Sequence, residues 1–280
     1  MNDSGPSSDT VNRCADLLAQ AELQRRPGQP LTELFPDLSI QDAYRIQQAT
    51  TLRRTQRGER VVGHKVGLTA KAMQDLFGVR EPDFGHLLDT MMHDAKRPLD
   101  LGELIDPQIE VEPAFVLGQR LAGPKIGIDE VLNATAYVSV CFEVIDSRIQ
   151  DWRIKIQDTV ADNGSSARVV LGSERMPVAG LALENMETVL ELDGKIVATG
   201  NTSAILGHPA NGVAWLANAI AKFGVTLEAG DIVLPGTCTR CCRIAGHRNV
   251  RGRIAGLGEV SLELVGAPSV TVIGASQAKP

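Results

Sequence analysis

At 280 residues, with 43% apolar and 22% charged side chains, the chain is long enough to bury a sizeable core, as one large domain or a domain with a smaller appendage. A formal net charge of −6 argues against the basic stripe of a nucleic-acid binder, and no apolar run approaches the ~18 residues of a membrane span, so neither nucleic acid nor membrane is expected as a partner. The polar start MNDSGPSSDT lacks the apolar segment of a secretory leader, which makes the cytoplasm the expected location.

Composition predicts no structure over about the first ten residues, and helix formers fill 11–24. LSIQDAYRIQQATTLRRTQRGERVVG predicts a helix. Ser39 and Asp42 fit a capping box, Ala43, Ile46 and Ala49 share a face, arginines crowd the end, and Gly58 closes it. From VVGHKVGLT onward the signal turns to strands: IEVEPAFVL, YVSVCFEVID, ARVVLG, METVLELDGKIVATG, GDIVLPGT and EVSLELVG are short apolar runs bounded by Gly, Asp or Pro. Asp193-Gly194 between strand-like flanks predicts a hairpin. One more helix interrupts them, HPANGVAWLANAIAKFG, with Val213, Leu216, Ala217, Ile220 and Phe223 at helical spacing and Gly224 as its stop. Strands and helices do not alternate regularly, which argues against a doubly wound parallel sheet. The pattern predicts an α+β protein, with a helical N-terminal region over 1–60 and a β-rich domain over 61–275. No internal repeat, dinucleotide fingerprint or phosphate loop is present, so no nucleotide cofactor is expected.

Five cysteines are spread along the chain. Cys14 and Cys141 lie in apolar segments and read as small core residues. Cys238, Cys241, Cys242 and His247 in CTRCCRIAGH offer one C-x-x-C pair where a structural zinc site needs two, so reduced cysteines in a strand and turn are expected there.

Glu110 and Glu112 in QIEVEPAFVL are two apart, so a strand projects both from one face. Glu143 sits in a second apolar run, VCFEVID. Carboxylates on buried strands repel unless a positive group sits among them, and a hard divalent cation such as Mg2+ or Mn2+ prefers oxygen ligands. The spacing alone leaves another reading open, in which these glutamates edge a sheet and face water or pair with arginine.

Five blocks narrow the choice. GHKVGLTAKAMQ, EPDFGHLLDTM, IEVEPAFVL, FEVIDSRIQDWRIKIQDTVADN and GHPANGVAWLAN, in order from about residue 37 to 265, resemble the 2-keto-4-pentenoate hydratase family. This family is the hydratase/decarboxylase branch of the fumarylacetoacetate-hydrolase superfamily. The resemblance implies a mixed β-rich core behind a helical N-terminal part, a divalent metal, and homo-oligomeric rings of five or ten subunits. Carried over by position, Glu110, Glu112 and Glu143 resemble the metal ligands, Lys65 the lysine that reaches the pocket, and Asp83 an acid/base or water-positioning group. Asp158 and Asn163 are weaker candidates for pocket or supporting roles, Asp158 fitting a helix cap equally well. His64, His86 and His208 are expected to be packing or surface residues.

The implied substrate is a small 2-hydroxydienoic or 2-oxo acid, whose carboxylate and 2-oxo oxygen can chelate the metal. The implied reaction is hydration of 2-hydroxypenta-2,4-dienoate or a longer analogue to a 4-hydroxy-2-oxo acid, with Lys65 and Asp83 as acid/base groups. The alternatives are decarboxylation of 2-oxo-3-hexenedioate on the same scaffold and, as a different class, a non-catalytic partner subunit, since enzymes of neighbouring pathway steps associate in this family. Two departures stand out. Pro113 follows the E-x-E pair and removes a backbone donor, which predicts an edge or a bulge there. CCRIAGHRNVRGRIAGLGE replaces the family's usual turn, which puts the C-terminal hairpin and its pocket contacts outside what the resemblance supports.

Overall fold

The computed structural model describes residues 7–270. The first helix, α1 (Ser8–Gln24), is capped by Ser7, whose hydroxyl accepts from the Thr10 N–H. Residues 8–10, expected to lack structure, are therefore helical, and residues 1–6 of that stretch lie outside the described residues. After a single turn, α2 (Leu31–Leu34), comes α3 (Ile40–Gln56), with the predicted capping box: Ser39 Oγ accepts from Asp42 N–H at 3.2 Å while Asp42 Oδ2 accepts from Ser39 N–H at 3.1 Å. Ala43 and Ile46 are buried and Ala49 packs at the margin of the same cluster.

The chain continues through β1 (Val61–Gly67), α4 (Lys71–Phe77), β2 (Asp83–Leu88), β3 (Leu99–Asp100), β4 (Gln108–Leu117), α5 (Ile128–Ala134) and β5 (Thr135–Ile145). Then come α6 (Ile156–Ala161), β6 (Ser166–Leu171), β7 (Glu187–Leu192), β8 (Lys195–Asn201) and α7 (Pro209–Ile220). The last strands are β9 (Ile232–Leu234), β10 (Cys242–Arg243), β11 (Asn249–Ile254) and β12 (Gly258–Val265). The larger sheet runs β2-β1-β9-β4-β5-β6 with β10 also on β4, and the smaller runs β3-β12-β11-β7-β8. Pairing is antiparallel except at β1–β9 and β12–β3, so a doubly wound parallel sheet is ruled out as expected. The β7–β8 hairpin turns through Asp193 (φ 49°) and Gly194 (φ 76°), both left-handed as a two-residue turn of this kind requires.

Period-two alternation sorts β4 and β5 into two faces. Val111 and Phe142 are directly paired and face the smaller sheet, where β11 comes so close that a Cβ on Gly252 would lie 2.6 Å from the Phe142 ring. Glu110, Glu112 and Glu143 take the opposite face. The N-terminal helices form their own apolar cluster with Ile149 and with Val160 and Ala161 of α6. Asp158 ties that cluster down, accepting from the backbone and hydroxyl of Thr32 at 3.0 and 2.7 Å and capping α6 through Lys155 N–H at 2.9 Å.

Two expectations differ from what is observed, and a third segment left open is now placed. Pro113 lies on neither an edge nor a bulge, because β4 is interior and its register with β5 shifts only between Val116 and Leu117. The other side of β4 is paired by β10 at Gln108 and Ile109 and by β9 at Phe115 and Val116, leaving a gap between them. The Val111 carbonyl, two residues before Pro113, turns to that gap and accepts from Cys238 N–H at 3.5 Å, so the missing proline donor faces a place where no strand asks for it. Phe223 is not on the buried face of α7 but in a 3-10 turn beyond it, 48% exposed and tilted against Tyr44 and Phe84. The basic segment 242–254 supplies two strands, β10 and β11, and β11 pairs with both β12 and β7.

Candidate active site

The three glutamates converge. Glu110 and Glu143 are cross-strand partners on β4 and β5, Glu112 is the next residue on the same face, and one carboxylate oxygen from each lies within 4.8 Å of the others. Glu112 and Glu143 are buried, while Glu110 is half-buried and opens onto a cleft. Glu112 Oε2 accepts from Gly236 N–H at 2.9 Å. Neither oxygen of Glu143 has a well-formed hydrogen bond, an expensive state for a buried carboxylate. Burial, then the neighbouring charge of Glu143, pushes Glu110 up to about 7, with Lys65 opposing. Glu112 and Glu143 are raised for the same first reason, burial.

One cation answers these charges. Lys65, on β1 and 5% exposed, places Nζ 3.4 Å from Glu143 Oε1 and donates to the Gly164 carbonyl at 3.1 Å. Burial disfavours its charge, but Glu143, Asp83, Glu110 and Glu112 outweigh that and hold the ammonium protonated. Gly164 belongs to a turn in which Asn163, Gly164 and Ser165 all have left-handed φ, near 58°, 60° and 57°. The Asn163 side chain latches the turn to β2, accepting from His86 N–H at 2.7 Å and donating to its carbonyl at 2.9 Å. A Cβ on Gly164 would lie 3.1 Å from Lys65 Cδ, so glycine is needed there on both counts.

Asp83, the first residue of β2, is buried, and its Oδ1 lacks a well-formed hydrogen bond. Its carboxylate lies over Gly67, where a Cβ would come within 2.1 Å of Oδ1. Burial raises the Asp83 pKa, against the pull of Lys65. Lys65, Asp83 and Glu110 all line a cleft of about 470 Å3, with Gly67, Thr69, Gln108, Thr159, Ser165, Thr237 and Cys241 among the other walls. The five residues singled out in the sequence are therefore brought together. Asp158 is not; it is the structural cap and clamp described above. Asn163 supports the lysine's carbonyl partner and does not line the cleft.

The rings of His64 and His86 lie tilted against each other with centroids 5.0 Å apart, and burial lowers them to about 3 and about 4, so they stay neutral. His208 caps α7 through Ala210 N–H at 3.0 Å. Cys241 donates to Gln108 Oε1 at 3.2 Å, Cys238 is buried, and His247 pairs with Asp193 at 2.8 Å. Among the described residues, Glu110, Glu112 and Glu143 are the one group of three or more His, Cys, Asp or Glu side chains placed to share an ion. The sequence reading missed Gly67, Gly164, Gly236, Thr237 and Cys241. The signals for the glycines and Thr237 were present in KVGLT, DNGSS and LPGT, where a glycine beside a strand marks a close approach, whereas Cys241 carried none.

The Fumarylacetoacetate (FAA) hydrolase C-terminal family model matches residues 92–265. A 2-hydroxypent-2,4-dienoate hydratase of Pseudomonas putida is 45% identical over 77% of this chain and 97% of its own length. A 2-hydroxyhexa-2,4-dienoate hydratase of Comamonas testosteroni is 40% identical over 88% and 94%. Among solved structures, the 4-oxalocrotonate decarboxylase from Pseudomonas putida G7, complexed with magnesium and adipate, superposes with a TM-score of 0.89 at 34% identity over 93% of this chain and 99% of that one. Among the described residues no helix is long and apolar enough to cross a membrane.

Proposed function

Because the chain belongs to the 2-keto-4-pentenoate hydratase family, within the fumarylacetoacetate-hydrolase superfamily, we propose that it is a divalent-metal-dependent hydro-lyase. It adds water to 2-hydroxypenta-2,4-dienoate or a longer analogue and yields a 4-hydroxy-2-oxo acid. The observation that carries this reading is the cluster of three glutamates around the buried Lys65, reached from a cleft that Glu110 and Lys65 line. Such a set, with Glu143 short of hydrogen-bond donors, suits a hard cation, and Mg2+ or Mn2+ is our choice. Glu110, Glu112 and Glu143 would hold it, and when bound it acts as a Lewis acid toward a 2-oxo acid.

The remaining work falls to side chains of this protein. Lys65, kept charged by its carboxylate neighbours, holds the substrate's carboxylate or 2-oxo oxygen by charge. Asp83, buried and raised, exchanges protons nearer neutrality than an exposed aspartate does. Ketonisation moves the proton of the 2-hydroxyl away and places one on C5, leaving a C3=C4 bond conjugated to the ketone. Water then gives its hydroxyl to C4 and a proton to C3, and Asp83 is the group within the cleft that carries these protons. Assembly into rings of five or ten copies, in the cytoplasm, belongs to the same reading and is checked by light scattering.

The relatives named as hydratases, at 45% and 40% identity, favour hydration over the decarboxylation named for the solved relative at 34%. The test is incubation of protein stripped of metal, then given Mg2+ or Mn2+, with 2-hydroxypenta-2,4-dienoate. Loss of the conjugated chromophore with a product heavier by one water is expected. Faster release of CO2 from 2-oxo-3-hexenedioate would overturn the hydratase reading.

A further inference from the structure

We propose that the outer half of the cleft is a subsite for an uncharged, apolar tail on C5 of the dienoate, read by Met73, Leu76 and Phe77 of α4 together with Trp152 and Ile154. This rests on the hydratase reading above and specifies which member of the substrate class the protein takes.

Polarity in the cleft is sorted by depth. Its floor holds Lys65 and Asp83, at 5% and 3% exposure, beside the buried glutamates. Its mouth is lined by Met73 and Leu76, at 42% and 75% exposure, large apolar side chains that a soluble surface does not normally offer side by side. Phe77, Trp152 and Ile154 continue that wall, each half-buried. The indole N–H of Trp152 is already used, donating to the Asp106 carbonyl at 3.2 Å, so the tryptophan has only its ring to offer a ligand.

Charge completes the argument. Among the described residues lining the cleft, Lys65 is the one cation, and it stands at the floor beside Glu143 and the Gly164 carbonyl, where the 2-oxo acid end is held and out of reach of the tail. Of the cations adjoining the apolar wall in sequence, Lys71 pairs with Asp75 on its own helix and Arg153 with Glu33 at 2.9 Å, while the exposed Arg80 and Lys155 stand outside the residues that line the cleft. A substrate whose 2-oxo acid end lies at the glutamates must send C5 outward toward the mouth. A second carboxylate on that end would meet apolar surface with no counter-charge among the lining residues, and below it the negative charge of Asp83 and Glu110. An alkyl or aryl tail meets a surface it can desolvate. At about 470 Å3 the cleft also falls in the range that accommodates ligands well beyond five carbons.

The experiment compares kcat/KM, with Mg2+ present, for 2-hydroxydienoates carrying hydrogen, methyl, propyl or a propyl-length carboxylate at C5. Titration calorimetry with the saturated 2-oxo acids bearing the same tails reads binding without turnover. We expect kcat/KM to rise about threefold per added methylene, somewhat below the full-burial value because the mouth stays partly open, and to fall at least tenfold for the carboxylate tail. Leu76→Lys, on a side chain exposed enough not to disturb folding, should shrink the propyl-to-carboxylate ratio at least tenfold, and the saturated acids should follow the same order. Hydration of the unsubstituted dienoate with a flat tail series, or a series favouring the carboxylate, overturns this inference alone. Release of CO2 from 2-oxo-3-hexenedioate in place of hydration overturns both readings, since that substrate is itself a dicarboxylate.

Discussion

In chelator at pH 8, Glu110→Gln should be more stable than the native protein, although it removes a residue assigned to metal binding. Glu110 is raised from its ordinary 4.5 to about 7, first by burial and then by the charge of Glu143. The folded state thus holds this proton more tightly than the unfolded chain does. Its contribution to stability is fully present below pH 4.5 and is lost as pH rises through about 7. Above that, the ionised carboxylate costs the metal-free fold up to about 3 kcal/mol, less whatever relief Glu110 gains from opening onto the cleft. The glutamine amide has the same shape and no charge to desolvate, so it is free of this cost at every pH. Thermal unfolding with EDTA should therefore place the variant about 5 °C above the native protein at pH 8, with the gap closing toward pH 4.5. Excess Mg2+ should reverse the order, because binding stabilises only the chain that keeps its ligands. A variant no more stable than the native protein in EDTA at pH 8, or equally stabilised at pH 4.5, would show that repulsion at Glu110 is not what strains the metal-free site.

Mg2+ affinity measured by titration calorimetry should weaken steadily from pH 8 to pH 6, since Glu110 must shed a proton held near 7 before it can act as a ligand. Gly67→Ala would drive a methyl to 2.1 Å from Asp83 Oδ1; it should lower kcat at least tenfold, with circular dichroism and the melting temperature little changed. Lys65→Ala should lower kcat by at least about 100-fold on any substrate the protein accepts, in a stopped assay of chromophore loss. Asp158→Ala abolishes two hydrogen bonds to Thr32 and the cap on α6, and should cost about 2–4 kcal/mol in urea denaturation while leaving kcat of the folded protein unchanged.

The site was legible in the sequence where chemistry and periodicity point the same way. Glu110 and Glu112 two apart, with Glu143 in a second apolar run, needed only the strand's alternation to share a face. The Ser39–Asp42 box and the Asp193-Gly194 turn are short-range signals that act without tertiary help, and both formed as read. What escaped depends on neighbours far away in sequence. Pro113 is tolerated in an interior strand because two other strands stop short of it, which no local rule reveals. β11 was hidden in a basic segment because its arginines alternate outward while Val250, Gly252 and Ile254 alternate inward, a half-buried pattern that the charge masked. Gly67 and Gly164 went unread because their role lies in the space they leave for Asp83 and Lys65, side chains distant in sequence.

These placements divide the labour of the cleft between rigid and adaptable parts. The carboxylates stand on β4 and β5, ten and eleven residues long, paired with each other along nearly their whole length and packed against a second sheet. A charge cluster that would push itself apart in the metal-free protein needs such a frame, because these strands can move only by breaking the long β4–β5 ladder and the packing behind it. Lys65 is held by a different device, a left-handed turn latched to β2 by Asn163, which fixes the carbonyl facing its ammonium without adding another charge. The apolar mouth, by contrast, is built on α4, a seven-residue helix with no side-chain cap at its start and Met73 and Leu76 turned to solvent. A helix this short draws little stability from its own hydrogen bonds, so substitutions along it alter the wall at small cost to the fold. The proposed tail wall can therefore be changed at positions 73, 76 and 77 without disturbing the carboxylates, whereas any change at 110, 112 or 143 alters charge balance and stability at the proposed metal site together.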